Sequence, residues 1–132
     1  MIDDYKDLVT AAATKHGVPY NLLRALCIHE SSGDPLCIGD GGNALGLTQC
    51  HEGAAIDVGL NWNTLHAAIK ANDKQLAAQL GLEIGAAYFA KMIKEFNGDT
   101  TFALCAYNQG PTVIKRAHDY AMAVIDIMHE EN

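Results

Sequence analysis

The sequence predicts one all-α domain, and three observations lead to that class. The chain has 132 residues, 49% of them hydrophobic, so it can enclose one core but not several. Apolar residues recur every three or four positions in most segments, which is the helical period. Glycine, proline and short polar residues separate these segments where helices should end. We therefore expect residues 1–132 to form a single globular domain.

The first two predicted helices meet between Gly17 and Pro19. An apolar stripe within residues 2–12 defines the first helix, and the second begins near Pro19. The polar residues 31–35 end the second helix. Glu30 continues the apolar face of this helix, which consists of Leu22, Leu23, Leu26 and Cys27.

Residues 32–45 contain four glycines and no helical period, which predicts a long shaped loop. Helices resume at residues 53–58 and at Asn63. From Asp73 to Phe96, apolar residues keep four-residue steps, as in a core helix. Gly81 and Gly85 within it predict the close approach of a neighbouring backbone.

Two further helices complete the predicted fold. Asn97 and Gly98 end the core helix, and Asp99 can cap a short helix that includes Tyr107. Pro111 then suits the first position of the last helix. The core face of that helix comprises Val113, Ile114, Ala117, Ala121, Val124 and Met128.

The charge balance excludes some classes of partner. Nine Lys and Arg against sixteen Asp and Glu give a net charge of −7, whereas nucleic-acid binding needs clustered positive charge. No apolar run is long enough to insert into a membrane, and the first twenty residues lack a signal-peptide core. We expect a monomer that binds no nucleic acid and inserts into no membrane.

The four cysteines, Cys27, Cys37, Cys50 and Cys105, form no C-x-x-C pair. Their spacing to His29 and His51 matches no common zinc pattern, so we expect no metal and no other cofactor. Cysteines of this kind are typical small residues of a core. If one disulfide forms, Cys37 with Cys50 is the preferred pair.

Glu30 is the strongest candidate for a catalytic group. Burial on an apolar helix face disfavours the charged form, and the negative end of the helix dipole acts in the same direction. Both effects raise the pKa, as an acid that protonates a leaving oxygen requires. The alternative is a helix-end glutamate whose head reaches water.

Four segments, in order, resemble the family of soluble lytic transglycosylases and goose-type lysozymes. They are residues 25–33 (ALCIHESSG), 39–49 (GDGGNALGLTQ), 83–88 (EIGAAY) and 106–111 (AYNQGP). The resemblance spans residues 18–125 and implies a lysozyme-like fold, with the glycine-rich loop lining a sugar-binding cleft. The implied partner is the glycan strand of peptidoglycan, in the periplasm, outside the cell or at a virion.

The resemblance also implies roles for individual residues. Glu30 is the general acid and then the base, and Tyr107 orients it by a hydrogen bond. The implied substrate contacts are Ser31, Asp40, Gly46, Leu47, Gln49 and Asn108. Without the resemblance, Tyr107 and Asn108 would be interpreted as a buried aromatic residue and a helix cap. The chain departs from the family pattern at Thr48, His51, Glu52, Glu83 and Gln109.

Several functions stay open at this point. We favour a transglycosylase, which needs one carboxyl group, over a lysozyme, in which Asp40 would position water. Asp34 and Glu52 are the other candidates for a second carboxylate. An inactive wall-binding or virion module would keep the cleft and lose the acid. A cysteine hydrolase built on Cys105 is the weakest hypothesis, since no base can be assigned.

Overall fold

The computed structural model describes residues 1–109 and 118–130, and these ranges contain seven α-helices and one minimal hairpin. The predicted all-α class is confirmed. A 3-10 turn, Ile2–Tyr5, precedes the first helix. The helices are α1 Lys6–His16, α2 Tyr20–Ser31, α3 Glu52–Asp57, α4 Trp62–Lys70, α5 Lys74–Glu95, α6 Thr100–Gln109 and α7 His118–Glu130.

The 22-residue helix α5 lies at the centre of the fold and contacts α1, α3, α4 and α6. Asp73 caps its beginning, because the carboxylate accepts the backbone N–H of Leu76 at 3.1 Å. Leu82, Phe89 and Met92 are almost completely buried. The predicted core helix is therefore confirmed.

Helix α2 contains Glu30 and ends where the sequence predicts. Leu23, Leu26 and Cys27 are fully buried on one face. Ser32 closes the helix in the left-handed conformation, with φ of 56°, and its N–H returns to the carbonyl of Ile28. The buried face of α2 packs against α7, so Glu30 lies close to the beginning of that helix.

The glycine-rich segment forms a hairpin of two antiparallel two-residue strands, β1 Ile38–Gly39 and β2 Ala44–Leu45. Cys50 extends this ladder, since two backbone hydrogen bonds of 3.1 Å join it to Leu45. The segment packs against α5 at the two predicted glycines. A β-carbon at Gly81 would lie 3.5 Å from the backbone nitrogen of Leu47, which confirms the close approach.

A side-chain cap also defines the beginning of α6. The carboxylate of Asp99 accepts the N–H of Phe102 at 3.1 Å at the beginning of α6, as predicted. The predicted helix start at Pro111 lies outside the described residues. In α7, Ala121 and Val124 are fully buried, which agrees with the predicted core face.

All four cysteines are free thiols. Cys37 pairs with Gly46 on one side of strand β2, through a hydrogen bond of 2.8 Å, and Cys50 pairs with Leu45 on the other side. Two strand spacings of about 4.8 Å therefore separate the two cysteines, whereas a disulfide spans at most about 7 Å between α-carbons. A disulfide between Cys37 and Cys50 is therefore geometrically excluded.

Across the described ranges, no helix combines the length and apolarity needed to cross a bilayer.

Candidate active site

A groove of about 510 Å³ lies where the end of α2, the hairpin, α5 and α6 meet. The helices contribute Glu30, Tyr88, Tyr107 and Asn108 to its lining. The hairpin and the turn that follows it contribute Asp40, Gln49, Cys50 and His51. Five of the eight predicted site residues therefore line one groove, namely Glu30, Tyr107, Asp40, Gln49 and Asn108.

Glu30 is half-buried in the last turn of α2. Burial raises the pKa of its carboxyl group, and a hydrogen bond donated by the Tyr120 hydroxyl group lowers it only in part. The net shift is upward, as predicted from the sequence. The group is thus kept closer to its neutral form, which can donate a proton.

The two tyrosines near the acid have different partners. Tyr120, at the beginning of α7, donates its hydroxyl hydrogen bond to the Glu30 carboxylate. Tyr107 donates to the backbone carbonyl of Thr48 at 2.8 Å. The predicted hydrogen bond from Tyr107 to Glu30 is therefore replaced by one from Tyr120. The Tyr107 ring is fixed against Phe89, with ring centroids 5.8 Å apart, and its hydroxyl satisfies a buried carbonyl.

Three predicted substrate contacts, Ser31, Gly46 and Leu47, do not line the groove. The buried Ser31 hydroxyl lies 2.9 Å from the carbonyl oxygens of Cys27 and Leu47, so it ties α2 to the hairpin segment. Leu47 is completely buried. Gly46 has φ of 77° and is buried, which fits a glycine. These residues shape the loop from its inner side.

The Gln49 side chain stabilises the loop by hydrogen bonds on the side that faces the groove. Its backbone is left-handed, with φ of 49°. Its side-chain amide nitrogen donates to the carbonyls of Cys37 at 3.1 Å and Gly46 at 3.0 Å. The amide oxygen lies directly over Gly39, where any β-carbon would collide with it. A substrate therefore meets a side chain whose donor hydrogens are already used.

Asp40 and His51 form an exposed pair at the rim of the groove, with 3.6 Å between Oδ2 and Nε2. Asp40 and Glu30 are the two carboxylates of the described residues that line the groove. Asp34 instead accepts the N–H of Leu36 at 2.9 Å in its own turn, and Glu52 lies in the first turn of α3. Of the candidates for a second carboxylate, only Asp40 shares the groove with the acid.

Two other predicted possibilities can be compared with the structure. Cys105 is buried in α6, so a nucleophile at this position would have no access to a substrate. Within residues 1–109 and 118–130, no three His, Cys, Asp or Glu side chains gather as a metal site would need.

Sequence reasoning missed Tyr120 and Thr48. Nothing in the sequence around Tyr120 indicates that its hydroxyl reaches Glu30. Thr48 is completely buried, and its hydroxyl donates to the carbonyl of Gly81 at 2.8 Å. Its own carbonyl holds Tyr107, so this residue links α5 to α6 beneath the groove.

A helical core with a groove around a half-buried glutamate defines a lysozyme-like class of domain. The chain belongs to the Transglycosylase SLT domain family, whose model matches residues 7–128. The resemblance noted in the sequence is thereby confirmed.

Two relatives extend this comparison. The chain is 33% identical over 107 residues to the peptidoglycan transglycosylase gp16 of Escherichia phage T7, covering 81% of this chain and 8% of that protein. Its fold is similar to that of an inactive glutamate-to-glutamine mutant of lytic transglycosylase Slt from Pseudomonas aeruginosa. That match has a TM-score of 0.69 and 19% identity, and covers 95% of this chain and 22% of the other. The chain thus spans a small part of either relative.

Proposed function

We propose that this domain is a peptidoglycan lytic transglycosylase that cleaves the β-1,4 bond between N-acetylmuramic acid and N-acetylglucosamine. The observation that carries the proposal is the Glu30 carboxyl group, half-buried in a groove, with a raised pKa and a hydroxyl partner. A carboxyl group in this state can protonate a leaving oxygen near neutral pH.

The proposed reaction uses Glu30 twice. Its proton passes to the glycosidic oxygen as the bond from that oxygen to C1 of the muramoyl unit breaks, with assistance from the acetamido group of the substrate. The muramoyl 6-hydroxyl group then bonds to C1 and returns its proton to the carboxylate. The product is a 1,6-anhydromuramoyl end, and no water is consumed. The Tyr120 hydroxyl stabilises the carboxylate between the two steps.

The groove suits the uncharged hydroxyl and acetamido groups of an amino-sugar chain. Asn108 and the Gln49 amide oxygen provide polar contacts without charge beside the acid. The name of the phage T7 relative, a peptidoglycan transglycosylase, supports peptidoglycan as the substrate. We propose that the domain acts on the cell wall as a monomer, outside the cytoplasm or from a virion.

The direct test compares the wild-type chain with Glu30→Gln on purified peptidoglycan. Glutamine keeps the shape and can accept the Tyr120 hydrogen bond, but it cannot transfer a proton. We expect the rate of wall clearing to fall at least about a hundredfold. Asp40→Asn is the matched control and should keep most of the activity. Equal clearing by wild type and Glu30→Gln would remove the assignment.

A lysozyme is the second candidate, because Asp40 lines the same groove as Glu30. In that reaction a water positioned by Asp40 would bond to C1. Mass spectrometry of the fragments separates the two reactions: anhydro ends are one water lighter than reducing ends. Reducing ends that the wild type produces and the Asp40→Asn variant does not would indicate a lysozyme. Wall binding without any cleavage would indicate an inactive wall-binding or virion module.

A further inference from the structure

We propose that His29 is a positioning residue, whose imidazole ring holds Tyr120 in the orientation in which its hydroxyl donates to Glu30. The inference rests on the proposed function, and it concerns a residue that takes no part in the proposed reaction steps. The contact between the two rings joins the helix that carries the acid to the helix that carries its hydroxyl partner.

The first observation is the ring contact itself. The centroids of His29 and Tyr120 are 4.9 Å apart, and the ring planes meet at 66°. This is an edge-to-face arrangement at a favourable distance for aromatic pairs. It restricts rotation of the Tyr120 ring, and therefore the position of its hydroxyl group.

The second observation is the place of both residues in the fold. Tyr120 is the third residue of α7, where the helix has only begun, and it is partly exposed. Ala121 and Val124 anchor α7 in the core, and the Tyr120 ring packs against the edge of that core. His29 is the neighbour of Glu30 in α2. One short stretch of backbone thus carries the acid and the ring that fixes its partner.

The third observation is that His29 adds little charge to this environment. His29 is exposed, and the partial desolvation of its imidazole lowers the pKa, which favours the neutral ring at neutral pH. The titratable groups that interact with Glu30 are Tyr120 from α7, Tyr107 from α6, Cys27 in α2 and Cys37 before the hairpin. Burial raises the pKa of each, so they stay neutral as well. A neutral aromatic ring can therefore position Tyr120 without adding a positive charge that would itself favour the Glu30 carboxylate.

The test is a double-mutant cycle on the whole chain, with His29→Ala and Tyr120→Phe made singly and together. Two quantities are measured: kcat on a defined peptidoglycan fragment, and the pKa of Glu30 by carbon NMR titration. The Tyr120 hydrogen bond lowers the pKa of Glu30. If the Tyr120 hydroxyl is no longer held in place, the pKa of Glu30 should rise. We expect His29→Ala to raise the pKa and to lower kcat about two- to tenfold with KM unchanged.

The cycle distinguishes positioning from a general structural role. In the Tyr120→Phe background no hydroxyl remains to be positioned, so His29→Ala should change neither quantity further. His29→Phe keeps an aromatic edge and should retain wild-type values. His66→Ala removes another helical histidine that stacks on an aromatic residue, Trp62, and should leave both unchanged.

Two results would overturn the inference. One is His29→Ala with wild-type kcat and Glu30 pKa, and the other is an equal effect of His29→Ala in both backgrounds. The NMR titration needs no catalysis, so it decides the positioning role even if the wild-type chain cleaves nothing. Absence of cleavage by the wild type would count against the proposed function alone.

Discussion

Two tyrosine hydroxyl groups lie near Glu30, but they donate to different acceptors. The Tyr120 hydroxyl contacts the acid, whereas the Tyr107 hydroxyl is used to hold the Thr48 carbonyl. Removal of each hydroxyl should therefore affect a different property. The first should alter the chemistry of the acid, and the second the stability of the loop.

We expect Tyr120→Phe to reduce kcat about tenfold or more, because the carboxylate formed during the reaction loses a hydrogen bond. The same bond lowers the pKa of Glu30, so its loss raises that pKa further. Activity requires the protonated acid, and its decline with rising pH should therefore move to higher pH. A pH profile of kcat measures both effects.

Tyr107→Phe is the matched control for this experiment. It leaves the buried carbonyl of Thr48 without its donor, which costs about 1–3 kcal/mol of unfolding free energy. The alkaline decline of the pH profile should stay in place. A shift of that decline in Tyr107→Phe, and none in Tyr120→Phe, would contradict the assignment of the two hydroxyls.

The sequence was informative about the acid and less so about its partners. Glu30 continues an apolar helix face, and that local pattern fits either a carboxyl group with a raised pKa or one whose head reaches water. The resemblance of the neighbouring segments favours the first interpretation. Tyr120 lies 90 positions further along the chain. Its contact depends on how α7 packs against α2, and no local period encodes that packing. Ser31, Gly46 and Leu47 lie in the correct segments but face inwards.

At the scale of elements, the hairpin segment and α5 fit together through glycine. Thr48 occupies the space beside Gly85 and donates a hydrogen bond to the carbonyl of Gly81. The absence of a side chain at Gly85 therefore lets the floor of the groove approach the central helix. This contact explains why a core helix contains a residue that weakens helices.

We expect Gly85→Ala to destabilise the protein by about 1–3 kcal/mol, because a β-carbon there would overlap the Thr48 side chain. Chemical denaturation measures the loss. Gly53→Ala is the control: this helical glycine has open space around it, so alanine should be neutral or stabilising by up to about 1 kcal/mol. Equal stability of the two variants would show that the fit at Gly85 is unimportant.

Element positions were predictable where local signals are strong. Gly17, Asp73 and Asp99 mark helix ends in both the sequence and the structure. The hairpin was not predictable, because its strands are only two residues long and depend on left-handed residues between them, such as Asp40 and Gly41. Such short strands leave no alternating pattern in a sequence.

At the scale of the whole molecule, charge and groove chemistry must be considered together. The chain carries a net charge of −7, and His51 is the one side chain among those lining the described groove that can become cationic. Peptidoglycan is also anionic. Affinity for this proposed substrate must therefore come from fit within the groove and not from long-range attraction.

We expect wall binding by Glu30→Gln, which should not cleave its ligand, to persist or to strengthen as salt rises from about 50 to about 300 mM. Added salt screens the repulsion between two anionic partners. A sedimentation assay with purified walls measures the bound fraction. A steep loss of binding with salt would mean that cationic contacts dominate. His51→Ala should show the same salt response as the parent variant.

The whole fold was the easiest property to predict, because four ordered segments and the helical period agree on one architecture. The similarity to known folds then extends over 95% of the chain. Substrate contacts were harder, since Gln49 uses its amide hydrogens within the loop. A glutamine that braces the backbone and one that binds sugar look identical in a sequence.

The separation between Glu30 and Tyr120 has a consequence for how the proposed enzyme becomes competent during its synthesis. The chain must be made as far as α7, and α7 must dock against α2, before the carboxyl group meets its hydroxyl neighbour. A half-made or clipped product would still contain several correct helices, but its acid would lack that neighbour. Cleavage activity would thus appear only when folding of the domain is complete. It would be among the first properties lost when α7 detaches.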